Sequence, residues 1–126
     1  MEGEYTKLGN LFVYRISIEL CGLGWEIYKN LDWQTKKITG DKFIEAVDSN
    51  AANIAEGYGR FNYLDRIKFY YNARASLLEA KHWCFLLYRR QKVKKEMFDQ
   101  FLKQANHVHY HLNEWIKKTY QQKNQK

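Results

Sequence analysis

The segment Ser49-Asn50-Ala51-Ala52-Asn53-Ile54-Ala55-Glu56-Gly57-Tyr58-Gly59-Arg60 ends one apolar stripe and supplies the stop after it. Ala51, Ile54 and Tyr58 continue the spacing begun by Phe43 and Val47, which places one greasy face along a helix. Gly57 and Gly59 suit the left-handed conformation that stops helices, and Asn62 with Asp65 resembles a capping pair for the next helix. The spacing therefore predicts a tight helix-to-helix turn at 57–62. Gly40-Asp41 marks the other end of this helix, with Asp41 as its N-cap.

Downstream, from Arg60 onward, there is no glycine or proline. Tyr70, Ala73, Leu77, Ala80, Cys84 and Leu87 keep a 3,4 spacing, as do Phe98, Phe101, Ala105, Val108, Leu112, Trp115 and Thr119. The two stripes share one heptad register, but Gln91 and Lys94 fall at its core positions, so a turn is placed near 89–95 and the stripes face each other in a hairpin. Upstream, Phe12, Ile16, Leu20, Leu23 and Ile27 form the first stripe after a cap at Asn10; Gly22 and Gly24 within it point to a close helix approach. A polar connection at 33–40 follows. The whole reads as one all-α domain over residues 1–126, an antiparallel up-down-up-down four-helix bundle. Its helices fall at about 10–31, 41–57, 62–89 and 95–119, with a frayed basic tail at 120–126.

Composition narrows the function classes. The 126 residues carry 21 Lys+Arg against 14 Asp+Glu. Residues 1–60 hold seven cations and nine carboxylates, so the excess lies wholly in the second half, the mark of a polyanion partner or of a solvated face. Cys21 and Cys84 stand far apart inside apolar patterns and read as buried free thiols; with no signal-peptide core around Glu2 and Glu4 and no long apolar run, the cytoplasm is expected and a membrane is not.

The segment from Ser49 to Arg60 resembles the bacterial four helix bundle protein family, also called 23S ribosomal RNA intervening-sequence proteins, through Asn53-Ile54-Ala55-Glu56-Gly57 followed by a basic residue. Phe69, Ala73, Ala75, Ser76, Leu77 and Glu79 resemble a second family stretch at the expected distance. The resemblance implies an up-down-up-down bundle closing into a ring-like homopentamer. It also implies a distant similarity to the nucleic-acid-binding accessory proteins of diversity-generating retroelements. The family often has a proline in the first connection, absent here, and a basic pair where this chain has Ile44 and Glu45.

Several constellations are candidates for function. Arg89, Arg90, Lys92, Lys94 and Lys95 put five cations at the predicted turn, either a phosphate-binding patch for RNA or DNA or a solvated helix end. Ser49, Asn53, Glu56, Gly57 and Arg60 on one helix, with Ser76 and Glu79 on the next, form the family-motif polar set, read as a network fixing helix register. The apolar circumference Trp83–Tyr88 exceeds what a monomer needs, so Phe69, Tyr70, Tyr71, Trp83, Phe85, Leu86 and Tyr88 are the expected surface for a second copy. Of His107, His109 and His111 only the first and last share a face, without a further ligand at metal spacing, and no catalytic constellation accompanies Glu56 and Glu79. The expected function is a non-enzymatic homo-oligomer without cofactor or metal that binds RNA or DNA through phosphates. The alternative is a scaffold for a protein partner.

Overall fold

The structure, a computed structural model, describes residues 7–125; Glu2, Glu4 and Lys126 lie outside the described residues. Four main helices carry the fold: α1 (Phe12–Lys29), α2 (Asp41–Tyr58), α3 (Tyr63–Arg89) and α4 (Lys95–Asn124). Each packs against its neighbours in sequence, and α1 also packs against α4, so α1 and α3 occupy opposite corners of the bundle. Every adjacent pair is antiparallel. Tyr28 meets Asp41 while Cys21 meets Val47; Ser49 meets Ser76 while Gly57 lies against Tyr70; Lys81 meets His109 while Tyr71 meets Tyr120; and Gln104 reaches the Ile16 carbonyl while Phe12 lies on His111.

The predicted stripes supply the core, except that Phe12, expected to open the first of them, is 46% exposed. Leu20, Phe43, Val47, Ile54, Leu77, Leu87, Phe101, Val108 and Leu112 are fully buried, and Phe43 on α2 meets Phe101 on α4 across the diagonal with ring centroids 5.2 Å apart. Burying each such side chain contributes roughly 1.5–3 kcal/mol against leaving it in water. Gly24 lets α1 and α2 come close, since a Cβ there would stand 2.9 Å from Val47 Cγ1; Gly22 faces open space.

The helix ends depart from expectation in four places. Asn10 is not a cap: α1 starts after Leu11, and no side chain caps it. The connection at 33–40 is helical rather than irregular, with a short turn at Trp33–Thr35 running into a π-helical turn at Lys36–Gly40 and straight on into α2. Its cap is Asp32, whose carboxylate accepts from the Thr35 N–H at 2.9 Å and is held below the usual carboxylate range chiefly by that bond. Asp41 is free of capping duty because its own N–H already bonds to the Lys36 carbonyl, and its carboxylate accepts from the Tyr28 hydroxyl at 2.6 Å. Gly57 and Gly59 keep negative φ: Gly57 is a helix residue and Gly59 ends the helix at φ −81°. The residues expected to fray from 120 onward continue α4 to Asn124.

Asn62 caps α3 as predicted, its Oδ1 accepting from the N–H groups of Leu64 and Asp65. At the other end of α3 the stop is a Schellman motif. Lys92 N–H donates to the Leu87 carbonyl and Gln91 N–H to the Tyr88 carbonyl, with Gln91 left-handed at φ 62°. A side chain with a Cβ is disfavoured there, so Gln91→Gly should raise stability by about 1 kcal/mol, read as a higher urea midpoint at unchanged m.

Candidate nucleic-acid interface

Antiparallel packing brings the α1–α2 connection and the α3–α4 turn to one end of the bundle. Arg90 bridges them: its guanidinium donates to Thr39 Oγ1 at 2.9 Å, and Thr39 is buried. Lys92 stands 3.5 Å from Asp32. Residues 29–42 and 89–99 together hold nine Lys and Arg against four carboxylates, a formal excess of five in the two segments.

The five predicted cations therefore converge, but not as equals. Arg90 ties the two connections, Lys92 pairs with Asp32, and Lys95 pairs with Asp99 at 2.7 Å within the first turn of α4. Arg89 and Lys94 are exposed and form no ion pair among the described residues. Lys36 and Lys37 join the patch although the sequence separates them from it by about fifty positions. They escaped the sequence reading because only the pairing of two connections places them there. Aromatic rings lie among these charges. Lys36 Nζ sits 5.0 Å over Tyr28, Trp25 stacks on Tyr28 at 5.4 Å, and Lys37 Nζ sits 5.1 Å over Trp33, which is 74% exposed.

The motif residues divide between two tasks. Ser49 Oγ lies 2.9 Å from Ser76 Oγ across the α2–α3 seam, and Asn53 Nδ2 donates back to the Ser49 carbonyl at 2.9 Å. Glu56 pairs with Arg60 at 2.7 Å on the surface, and the Arg60 guanidinium lies 4.6 Å over the Phe69 ring. Glu79 is exposed beside Lys42, Glu45, Ser49 and Ser76 in a shallow groove. The structure thus brings Ser49, Asn53 and Ser76 together and leaves Glu56 and Glu79 apart. Asn50, absent from the predicted set, is the buried member: its Nδ2 donates to the Ala73 carbonyl at 2.9 Å, while its Oδ1 has no partner. Its place at the edge of the apolar stripe gave it no signal.

The surface expected for a second copy is redrawn. Tyr70 lies wholly inside its own bundle, its ring against Gly57 and Trp115, and is unavailable to a neighbour. Trp83 is half-buried with Lys42 over its ring, Leu86 is half-buried, and Tyr88 stacks on Phe98 at 4.4 Å, so one bundle shelters most of the Trp83–Tyr88 circumference. Phe69 lies under Arg60. Tyr71 and Phe85 remain exposed and belong to a regular stripe, since Leu64, Tyr71, Leu78 and Phe85 recur every seven residues on the outer face of α3. A second stripe, Ile18, Gly22 and Trp25, runs along the outer face of α1, at the opposite corner.

Burial pushes both thiols up to about 12, with Asp48 adding to the effect at Cys21, so neither is a thiolate near neutral pH. Lys81 donates to His109 Nδ1 at 3.1 Å; burial first, then the nearby cations, holds His109 below its ordinary value. His107 and His111 stand with ring centroids 4.7 Å apart. Among the described residues no three His, Cys, Asp or Glu side chains gather as for a metal ion, and no helix is long and apolar enough to cross a membrane.

The family model described as 23S rRNA-intervening sequence protein matches residues 9–114. The fold is also that of a protein with unknown function from the S23 ribosomal protein family of Bacteroides thetaiotaomicron. That structure is 23% identical and superposes with a TM-score of 0.78 over 83% of this chain and 98% of its own. Among curated proteins none matches.

Proposed function

The chain belongs to the 23S rRNA-intervening sequence protein family, and from that premise we propose that it is a non-enzymatic, self-associating cytoplasmic bundle that holds RNA or DNA by phosphate contacts at its basic end. The observation that carries this reading is the joining of two connections by the Arg90–Thr39 bond, which brings segments with nine cations and four carboxylates to one end of the bundle. Phosphate contacts of this kind position a nucleic acid without reading its bases. Self-association is supported by the two exposed apolar stripes. Because they lie on opposite corners, contact between the α1 stripe of one copy and the α3 stripe of the next is head-to-tail, and such contacts form a ring when the rotation from copy to copy closes. A ring repeats the basic end around its axis and multiplies weak phosphate contacts. The homopentamer and the likeness to retroelement accessory proteins that the motif resemblance implies are part of this proposal.

The test uses the two exposed, unpaired cations. Arg89→Glu with Lys94→Glu should weaken binding to generic RNA and duplex DNA at least tenfold at equal salt and lower the salt slope by about two, with the fold intact. Equal affinity of the variant overturns the site. If the unaltered protein binds neither RNA nor duplex DNA at low salt, the scaffold for a protein partner takes its place. Light scattering should give a multiple of 15.3 kDa, reduced to the single-chain mass by Leu78→Glu; a monomeric wild type removes the ring.

A further inference from the structure

Trp33 is an unusual residue to find in a patch of cations. It opens the short helical turn after α1 and is fixed there by the Asp32 cap, yet 74% of its surface meets solvent. Charged residues stand on it and next to it in the chain. Lys37 lies over the ring at 5.1 Å, and Lys92 pairs with the preceding residue, Asp32, at 3.5 Å from its carboxylate. Packing within the bundle accounts for none of this, since no residue of the turn Trp33–Thr35 is buried.

We infer that Trp33 is a stacking platform for an unpaired base, so that the basic end takes single-stranded RNA or DNA in preference to duplex. This rests on the polyanion reading above and names its substrate class. An indole face attracts any base by stacking, whatever the sequence, and flanking lysines meet the phosphates on either side. In a duplex the bases already stack on one another and offer the indole no face, so a duplex engages only the cations. Lys37, resting on the ring in the unbound protein, swings its ammonium to a phosphate when a base takes its place.

The test compares a labelled uridine homopolymer strand with a perfect RNA duplex of equal length at equal salt. Trp33→Ala and Trp33→Leu should each weaken binding of the strand by roughly 5- to 100-fold, leave the salt slope unchanged, and leave duplex affinity within about twofold. Trp33→Phe should retain most of the strand affinity. If either variant binds the strand as the wild type does, or loses strand and duplex alike, the platform is refuted while the polyanion reading stands. If the wild type binds neither probe even at low salt, both fall together. Thermal unfolding of the variants, expected to match the wild type because the ring is exposed, confirms that any loss is local.

Discussion

Asn50→Asp is expected to cost about 4 kcal/mol at pH 7 and almost nothing near pH 3. Asn50 is fully buried, and its amide nitrogen donates to the Ala73 carbonyl across the α2–α3 seam. A carboxylate there would lose its water and face an oxygen that can only accept, so its pKa in the folded state should rise by about three units, each worth 1.36 kcal/mol. Below the unfolded value near 3.9 both states carry the proton. The acid's hydroxyl then donates to Ala73 as the amide does, and the penalty disappears. As pH rises from there the unfolded state loses its proton first, so stability relative to wild type falls steadily until the folded pKa is passed. Urea midpoints of both proteins across this range check the sign. A difference that stays constant from pH 3 to pH 7 would show that Asn50 is not sealed from water.

Gly57→Ala should destabilise the bundle by about 1–3 kcal/mol, although alanine is the better helix former by about 1 kcal/mol. A Cβ at Gly57 would stand 2.7 Å from Tyr70 Cε1 and 3.0 Å from the Arg66 carbonyl oxygen. The Tyr70 ring has no room to retreat, being completely buried with its edge against Trp115. Gly59 supplies the control, since a Cβ there meets only carbonyl oxygens at 3.7 Å and its φ is negative. Gly59→Ala should therefore change stability by no more than about 0.5 kcal/mol. Adding Tyr70→Leu to Gly57→Ala should recover part of the loss, a coupling that denaturant melts of the four proteins measure. Equal stability of Gly57→Ala and wild type would mean that α2 and α3 do not need this close approach. The Asn53–Gly57 motif is on this view a packing device: Ile54 fills the core, Asn53 bonds back to Ser49, and Gly57 lets α3 come near.

The four helices were legible because each carries an apolar stripe of helical period, and the turn at 89–95 because its heptad offers no core residue. Asn62 was legible as a cap for a local reason, as its side chain reaches the N–H groups two and three residues on. The helical nature of 33–40 was not: the segment is polar, and its π-helical turn is held by tertiary contacts such as the Arg90–Thr39 bond. Gly57 was misread for the same reason, since its glycine answers to a ring thirteen positions away rather than to its own φ.

Periodicity and local capping are properties of contiguous residues, so the amino-acid order alone determined an all-α bundle of four helices and most of its core. Which surface residues become neighbours depends on how the helices cross and on which ends their connections share. Only the tertiary structure gathered Lys36, Lys37 and Trp33 with Arg89 and Lys94, withdrew Tyr70 into the core, and left Leu64, Tyr71, Leu78 and Phe85 facing outward. Proximity between side chains distant along the chain is set by packing, and helical period records only which face of its own helix a residue occupies.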